Sequence, residues 1–208
     1  MTVLLNRSRL LLRALAPWMA VLVCWCVFRS GWLAILAYHA QVLAWHFAGR
    51  PQVERRSPGR RLLLALPCLL GGPLAFVLFP YLCRVPLLEW LSAYGVSGTG
   101  FLLMIPYFGL LHPSIEQLHW RDIWAREGLG WYGWVLFSGY HALVLHSLFS
   151  WPWLIVCFVL LIAVAGFWSW LHRLPGGFWI AVASHVLADL GIIVAAAVYA
   201  GIFFNVSP

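Results

Sequence analysis

The sequence has little charge of either sign and contains no lysine. Charged residues make up 9% of its 208 residues, with thirteen arginines and six acids, whereas hydrophobic residues make up 63%. A soluble domain is about one quarter charged, so a chain of this composition could not cover a water-facing surface. The composition therefore predicts a polytopic membrane protein whose main partner is the lipid bilayer.

Two other classes of protein are excluded by the same composition. A formal net charge of +7 is compatible with nucleic-acid binding, but the arginines lie between apolar runs instead of forming a polar face. Disorder is excluded by the content of 14 Trp, 7 Tyr and 13 Phe. The use of arginine alone is typical of a GC-rich genome, which favours a bacterial inner membrane as the location.

Apolar runs of about 20 residues predict membrane-crossing helices, because only helices and closed barrels satisfy their backbone in lipid and barrel strands are shorter and alternating. The fold predicted is an all-α bundle of about seven spans, six to eight, in a single integral membrane domain over residues 1–208. The predicted spans are 10–28, 32–48, 62–83, 101–124, 130–149, 153–171 and 178–204.

The loop from Arg50 to Arg61 predicts the orientation of these spans. It holds five arginines and one glutamate, together with proline and glycine residues that oppose helix formation. The positive-inside rule predicts that this loop is cytoplasmic. Two spans before it, turning at residues 29–31, return the arginines near the N-terminus to the same side.

Four ionisable residues lie within the predicted spans instead of at their ends, namely Glu116, His141, His185 and Asp189. A charged side chain at the centre of a membrane helix costs about 2.5–3.5 kcal/mol on insertion scales, so each of them calls for a reason. Structural explanations exist for each: Glu116 as an interfacial carboxylate paired with Arg121, His141 as a helix contact, and His185 with Asp189 as a pair that packs two helices.

A shared interior pocket would explain all four residues together, because it removes every one of them from lipid. A carboxylate next to an imidazole can deprotonate a bound water molecule, and a second imidazole can donate a hydrogen bond to the oxyanion of a tetrahedral intermediate. Glu116, His141 and His185 thus supply the groups of a peptide hydrolase that has no nucleophilic side chain and no metal.

Other hydrolytic and redox sites fit the sequence less well. The zinc-protease signature H-E-x-x-H is absent, no C-x-x-C pair occurs, and Ser138-Gly139 lacks the first glycine of a G-x-S-G site. A di-aspartyl membrane protease needs two intramembrane aspartates, and only Asp189 qualifies. Haem ligation by His141 and His185 is possible but leaves Glu116 and Asp189 unused. No metal and no cofactor is therefore predicted.

Three motifs, in order, resemble those of the CPBP family, the CAAX-protease and bacteriocin-processing glutamic intramembrane proteases. The segment Glu116-Gln117-x-x-x-Arg121 is similar to its E-E-x-x-x-R, Phe137-x-x-x-His141 to its F-x-x-x-H, and His185-x-x-x-Asp189 to its H-x-x-x-N/D. The segment 166–179 resembles the usual lead-in to the last histidine. The resemblance covers roughly residues 113–195, which would form the catalytic core.

This resemblance implies an intramembrane endopeptidase of the glutamic type. Glu116 together with His141 would activate water, while His185 and Asp189 would form the oxyanion-stabilising side and Arg121 would be structural. Gln117 stands where a second glutamate is usual, so a non-catalytic relative that confers immunity or assists export is the alternative. The substrate implied is a membrane-anchored protein or peptide cleaved in a leader or C-terminal sorting segment.

Overall fold

The computed structural model describes residues 2–48, 56–121, 123 and 129–202, with side chains at 8, 10–48, 56–120, 123 and 129–202. No β-strand occurs among these residues, so the predicted all-α class is confirmed for the described part. Its α-helices are α1 (Thr2–Ala20), α2 (Gly31–Ala48), α3 (Gly71–Leu82), α4 (Leu87–Ala93), α5 (Gly98–Pro106), α6 (His112–Arg121), α7 (Trp131–Leu145), α8 (Trp151–Leu171) and α9 (Gly177–Tyr199).

Segments of other helical geometry extend several of these helices. A π-helical segment, Val21–Val27, continues α1, and a 3-10 segment, Gly59–Leu70, leads into α3. The π-helical segment Tyr107–Leu111 joins α5 to α6 and lies between Pro106 and Pro113. Because proline lacks a backbone N–H, the ladder around this segment cannot be regular. The helix nevertheless runs on past Pro113, as the sequence predicted.

The described residues do not confirm the predicted number of membrane spans. Within the described residues, four helical stretches are long and apolar enough to cross a membrane: Leu10–Val27, Gly59–Leu82, Trp151–Leu171 and Gly177–Tyr199. A fifth results if Leu87–Ala93 and Gly98–Trp120, which are bent by 94° relative to each other, form one broken span. The predicted total of seven is not confirmed, because α7 has only 15 residues and α2 carries polar side chains along its length.

The helix boundaries agree closely with the apolar runs except at two C-terminal ends, since α7 ends at Leu145 instead of residue 149 and the last helix also ends early. The first turn comes at Arg29, whose φ of 50° ends the helical path before α2. The last helix was predicted to reach residue 204, but α9 ends at Tyr199 and Gly201 has a φ of 68°. Residues 203 and 204 lie outside the described residues, as do residues 50–55 of the predicted cytoplasmic loop.

Helix α9 lies at the centre of the bundle. It packs against α3 and the 3-10 segment before it, against α6 with the preceding π-helical segment, and against α8. The outward faces of the surrounding helices are apolar, as Leu70 (68% exposed) and Val77 (61% exposed) illustrate. Apolar side chains on the outside and a polar cluster inside are the arrangement of an integral membrane protein.

Two glycines allow α3 and α9 to approach closely. A Cβ atom added to Gly72 would lie 2.7 Å from the carbonyl oxygen of Gly191 and 2.9 Å from its Cα. Neither contact can be relieved by turning a side chain, since both atoms belong to the backbone. Small residues at helix crossings are the usual way in which membrane helices come this close.

We expect Gly72→Ala to destabilise the protein by about 1–3 kcal/mol, the usual cost of overpacking. Gly71→Ala is the matched control, because its Cβ would meet Ala188 at an ordinary 3.6 Å. Thermal unfolding in detergent micelles should show a lower midpoint for the first variant alone. Equal midpoints would contradict the close α3–α9 contact.

Candidate active site

The candidate site is built on α6, whose His112 and Glu116 are one helical turn apart and share a face. The side chain of Glu116 is 0% exposed, and that of Gln117 is 1% exposed. α6 packs against both α2 and α9, so these two carboxyl and amide groups face the interior of the bundle. The sequence prediction that Glu116 turns inward is consistent with this placement.

Oxygen Oε1 of Glu116 is held by two phenol groups. The hydroxyl of Tyr38, on α2, donates a hydrogen bond of 3.3 Å to it, and the hydroxyl of Tyr140, on α7, donates a second. Hydrogen bonds to a carboxyl oxygen offset part of the cost of burying it. Glu116 thereby ties α6 to two other helices.

Oxygen Oε2 of Glu116 is flanked by two imidazoles. His112 Nε2 lies 3.5 Å from it and His185 Nε2 lies 3.4 Å from it. These distances allow electrostatic attraction, but neither contact has hydrogen-bond geometry, so Oε2 has no hydrogen bond from the described residues. A buried oxygen in this state has the capacity to accept a hydrogen bond from a small molecule such as water.

His185 contacts a second carboxylate and an amide. Its Nε2 lies 3.2 Å from Oδ2 of Asp189, one turn further along α9, so the predicted His185–Asp189 contact is present. Its Nδ1 lies 3.1 Å from Nε2 of Gln117. Because an amide nitrogen only donates, Nδ1 accepts and the ring proton resides on Nε2, between Glu116 and Asp189. Stacking on Trp168, with ring centroids 4.0 Å apart, fixes the plane of the imidazole.

Gln117 connects His185 to a further histidine. Its Oε1 accepts a hydrogen bond of 2.8 Å from Nε2 of His172, at the end of α8. The amide thus accepts a hydrogen bond from His172 and donates one to His185, so both hydrogen bonds point toward His185. A carboxylate at position 117 could only accept, so it would require a proton on His185 Nδ1 instead.

His141 lies beside this group without a direct contact to Glu116. Its Nδ1 donates a hydrogen bond of 2.8 Å to the carbonyl oxygen of Phe137, and its ring lies next to that of Tyr140, with centroids 4.3 Å apart. It also interacts electrostatically with His185 and Asp189. With the proton on Nδ1, Nε2 of neutral His141 carries a lone pair and can act as a base.

The predicted site residues thus form two sets. Glu116, Gln117, His185 and Asp189 are in direct contact, whereas His141 is a near neighbour reached through Tyr140. The side chain of Arg121 lies outside the described residues, so its predicted pairing with Glu116 is not described either. Among the described side chains, no group of three His, Cys, Asp or Glu residues is arranged to hold a metal ion.

The sequence analysis missed several residues of the site. His39 lies in the middle of a predicted span and is 2% exposed. The cost of placing an ionisable side chain inside a span, which identified His141, applies equally to His39. His112 precedes Glu116 by four residues, which is the spacing of a helix-face pair. Tyr38, Tyr140 and His172 gave no usable signal, because tyrosine is common in membrane helices and His172 follows the end of a span.

No protein-family model, curated protein or solved structure matches the chain. The geometry of the site is therefore the basis for inferring its chemistry.

We expect Gln117→Leu to destabilise the protein by about 1–3 kcal/mol, because it removes a buried partner from both His172 and His185. Gln41→Leu is the matched control, since the side-chain oxygen of Gln41 is buried without a hydrogen-bond partner in the described residues. Thermal unfolding in the same detergent should separate the two variants. A midpoint for Gln117→Leu at or above that of Gln41→Leu would contradict the directed amide bridge.

Proposed function

We propose that the protein is an intramembrane endopeptidase of the glutamic type, which hydrolyses a peptide bond in a membrane-anchored substrate. The observation that carries the proposal is the state of Glu116 Oε2. It is a fully buried carboxyl oxygen without a hydrogen bond from the described residues, 3.4 Å from the Nε2 of His185. A water molecule bound there would lie next to a base and next to a hydrogen-bond donor.

The proposed reaction gives each of these groups a defined role. Glu116 takes a proton from the water molecule, and the oxygen of that water molecule forms a bond to the carbonyl carbon of the peptide. The carbonyl oxygen becomes an oxyanion and accepts a hydrogen bond from Nε2 of His185. As the C–N bond breaks, Glu116 returns the proton to the leaving nitrogen. His141, with a lone pair on Nε2, assists Glu116 in activating the water.

Asp189 and His141 mark the side from which a substrate would approach. The side chain of Asp189 is 13% exposed, and His141 is half-buried, whereas Glu116 and His185 are almost completely enclosed. A peptide segment entering between the helices on this side would reach the oxyanion-stabilising groups first. Such a substrate would be anchored in the bilayer and would carry a leader or a C-terminal sorting segment. These are the substrates that the CPBP resemblance implies.

Gln117 is compatible with this reaction although the family pattern has a second glutamate there. The proposed reaction needs one carboxylate to accept the proton of water, and Glu116 supplies it. The amide of Gln117 instead determines which nitrogen of His185 carries the proton. As a result, His185 carries its proton on Nε2, and this Nε2–H group is the donor that the oxyanion requires.

A non-catalytic role, in immunity or in assisting export, is the second candidate. It is favoured by the 0% exposure of Glu116, which fits a structural contact that joins α2, α6, α7 and α9. Haem binding is less favoured, because both ring nitrogens of His185 already contact protein groups.

We expect Glu116→Ala and His185→Ala each to abolish peptide cleavage by protein reconstituted in liposomes. The probe is a library of synthetic peptides that carry an apolar anchoring helix and a polar flank, with new termini detected by mass spectrometry. Glu89→Gln is the control, because Glu89 is an exposed carboxylate on α4. A chelator should leave cleavage unchanged, since the proposed reaction uses no metal.

Unchanged cleavage by either alanine variant would reject the proposed mechanism. Under the non-catalytic alternative, Glu116→Gln keeps the phenol and imidazole contacts and should leave immunity or export intact. Under the proposed reaction, the same variant has no base and should be inactive.

We expect Asp189→Asn to retain cleavage within about tenfold, whereas Asp189→Leu should lose more than that. The reason is that Gln117 already fixes the tautomer of His185, so position 189 has to supply only a polar oxygen beside the Nε2–H group. The ratio of kcat to KM for the two variants measures this. Equal losses would mean that the negative charge of Asp189, and not its hydrogen-bonding capacity, is required.

A further inference from the structure

A second pair of buried histidines continues the polar cluster away from His185. His39, on α2, is 2% exposed and His112, on α6, is 5% exposed. His39 Nε2 lies 2.9 Å from His112 Nδ1, and His39 Nδ1 lies 2.8 Å from the hydroxyl of Tyr107. The reaction proposed above uses none of these three residues.

These contacts form a series that is hydrogen-bonded from Tyr107 to His112. Its last link, the 3.5 Å between His112 Nε2 and Glu116 Oε2, lacks hydrogen-bond geometry, and the relay requires a small rotation of the glutamate side chain to close it. Tyr107 is half-buried, so its hydroxyl is the outer end of the series. The other members are enclosed.

The protonation state of Glu116 determines the direction of every hydrogen bond in this series. When Glu116 is ionised, His112 donates from Nε2 and its Nδ1 must accept from His39 Nε2–H, whose Nδ1 accepts from the Tyr107 hydroxyl. When Glu116 is protonated and donates to His112, each bond is reversed, and both histidines carry the proton on Nδ1.

We propose that Tyr107, His39 and His112 form a proton relay that connects Glu116 with the outside of the bundle. Three protons move in one transfer: from Tyr107 to His39 Nδ1, from His39 Nε2 to His112 Nδ1, and from His112 Nε2 to Glu116. A hydronium ion that reaches the partly exposed Tyr107 reprotonates its hydroxyl, so one proton enters and Glu116 becomes neutral. The resulting bond directions are those needed for the return transfer, and neither imidazole has to rotate.

The relay explains how an enclosed carboxyl group can exchange protons. Glu116 has no exposed surface, and each imidazole presents one nitrogen to either side, as a proton carrier requires. A purely structural contact between α2 and α6 would be made at lower desolvation cost by apolar side chains of similar volume. The effect on cleavage rests on the proposed function, whereas the relay itself does not.

The decisive experiment is 15N NMR of histidine-labelled protein in lipid bilayers, recorded as a function of pH. The titratable groups that face Glu116 are Tyr38, His112, Tyr140, His185 and, through His185, Asp189. We expect His39 and His112 to change together from Nδ1–H at low pH, with Glu116 protonated, to Nε2–H at higher pH. In Glu116→Gln, whose amide nitrogen donates to His112, both should remain Nδ1–H.

His141 serves as an internal control. It donates from Nδ1 to the carbonyl oxygen of Phe137 on its own helix, so its tautomer should be the same in the wild-type protein and in Glu116→Gln. The relay is overturned if His39 keeps one tautomer at every pH at which the protein is folded. It is equally overturned if His39 still switches in Glu116→Gln.

Cleavage kinetics provide a separate readout once a substrate peptide is known. His39→Ala and the milder Tyr107→Phe should each lower kcat roughly tenfold with little change in KM. Imidazole should restore the rate of His39→Ala, and pyrrole, which has the same shape but no basic nitrogen, should not. His46→Ala, at the end of α2, is the control. Absence of cleavage in the wild-type protein would reject the proposed function and leave the NMR result to decide the relay.

Discussion

A carboxyl group enclosed by apolar helices must find all its polar partners within the protein, and this requirement governs the arrangement around Glu116. One of its oxygens accepts from phenols of α2 and α7, and the other lies between imidazoles of α6 and α9. Four helices are therefore held in a defined relation by a single side chain. Apolar packing alone would not specify this relation, because an apolar helix gains little by facing another helix instead of lipid.

The position of α9 follows from packing on its opposite face. The backbones of α3 and α9 meet at Gly72 and Gly191, where a side chain on either residue would force the helices apart. His185 lies less than two turns before Gly191 on the same helix, so this close approach also sets how far His185 reaches toward α6. The hydroxyl of Ser184 contacts the thiol of Cys68 and accepts a hydrogen bond from the indole N–H of Trp168. These contacts hold the same stretch of α9 from the side. Glycine contact and polar cluster thus act on one rigid element from two sides.

Sequence reasoning located the helices and half of the site, for identifiable physical reasons. Apolar runs report lipid-facing surface directly, which is why the starts of α2, α8 and α9 were predicted within a few residues. The number of spans was not, because α7 is short and a 94° bend divides the stretch from Leu87 to Trp120. Glu116, His185 and Asp189 were identifiable since ionisation inside a span is costly, and their contacts were foreseen. The phenols of Tyr38 and Tyr140 were not, because neutral side chains in apolar runs carry no comparable penalty.

The amide at position 117 reduces the number of negative charges around His185. With a carboxylate there, His185 would be surrounded by three acids, at positions 116, 117 and 189, and would have to carry a positive charge to remain buried. With Gln117, two acids lie beside the Nε2–H group of His185, and the amide accepts a hydrogen bond from His172 while it donates one to His185. The cluster then contains fewer buried charges, and fewer opposite charges are needed to neutralise them inside the bundle. In the proposed reaction, a neutral imidazole at this position can strengthen its hydrogen bond as negative charge develops on the substrate carbonyl oxygen, which is the property that an oxyanion donor needs.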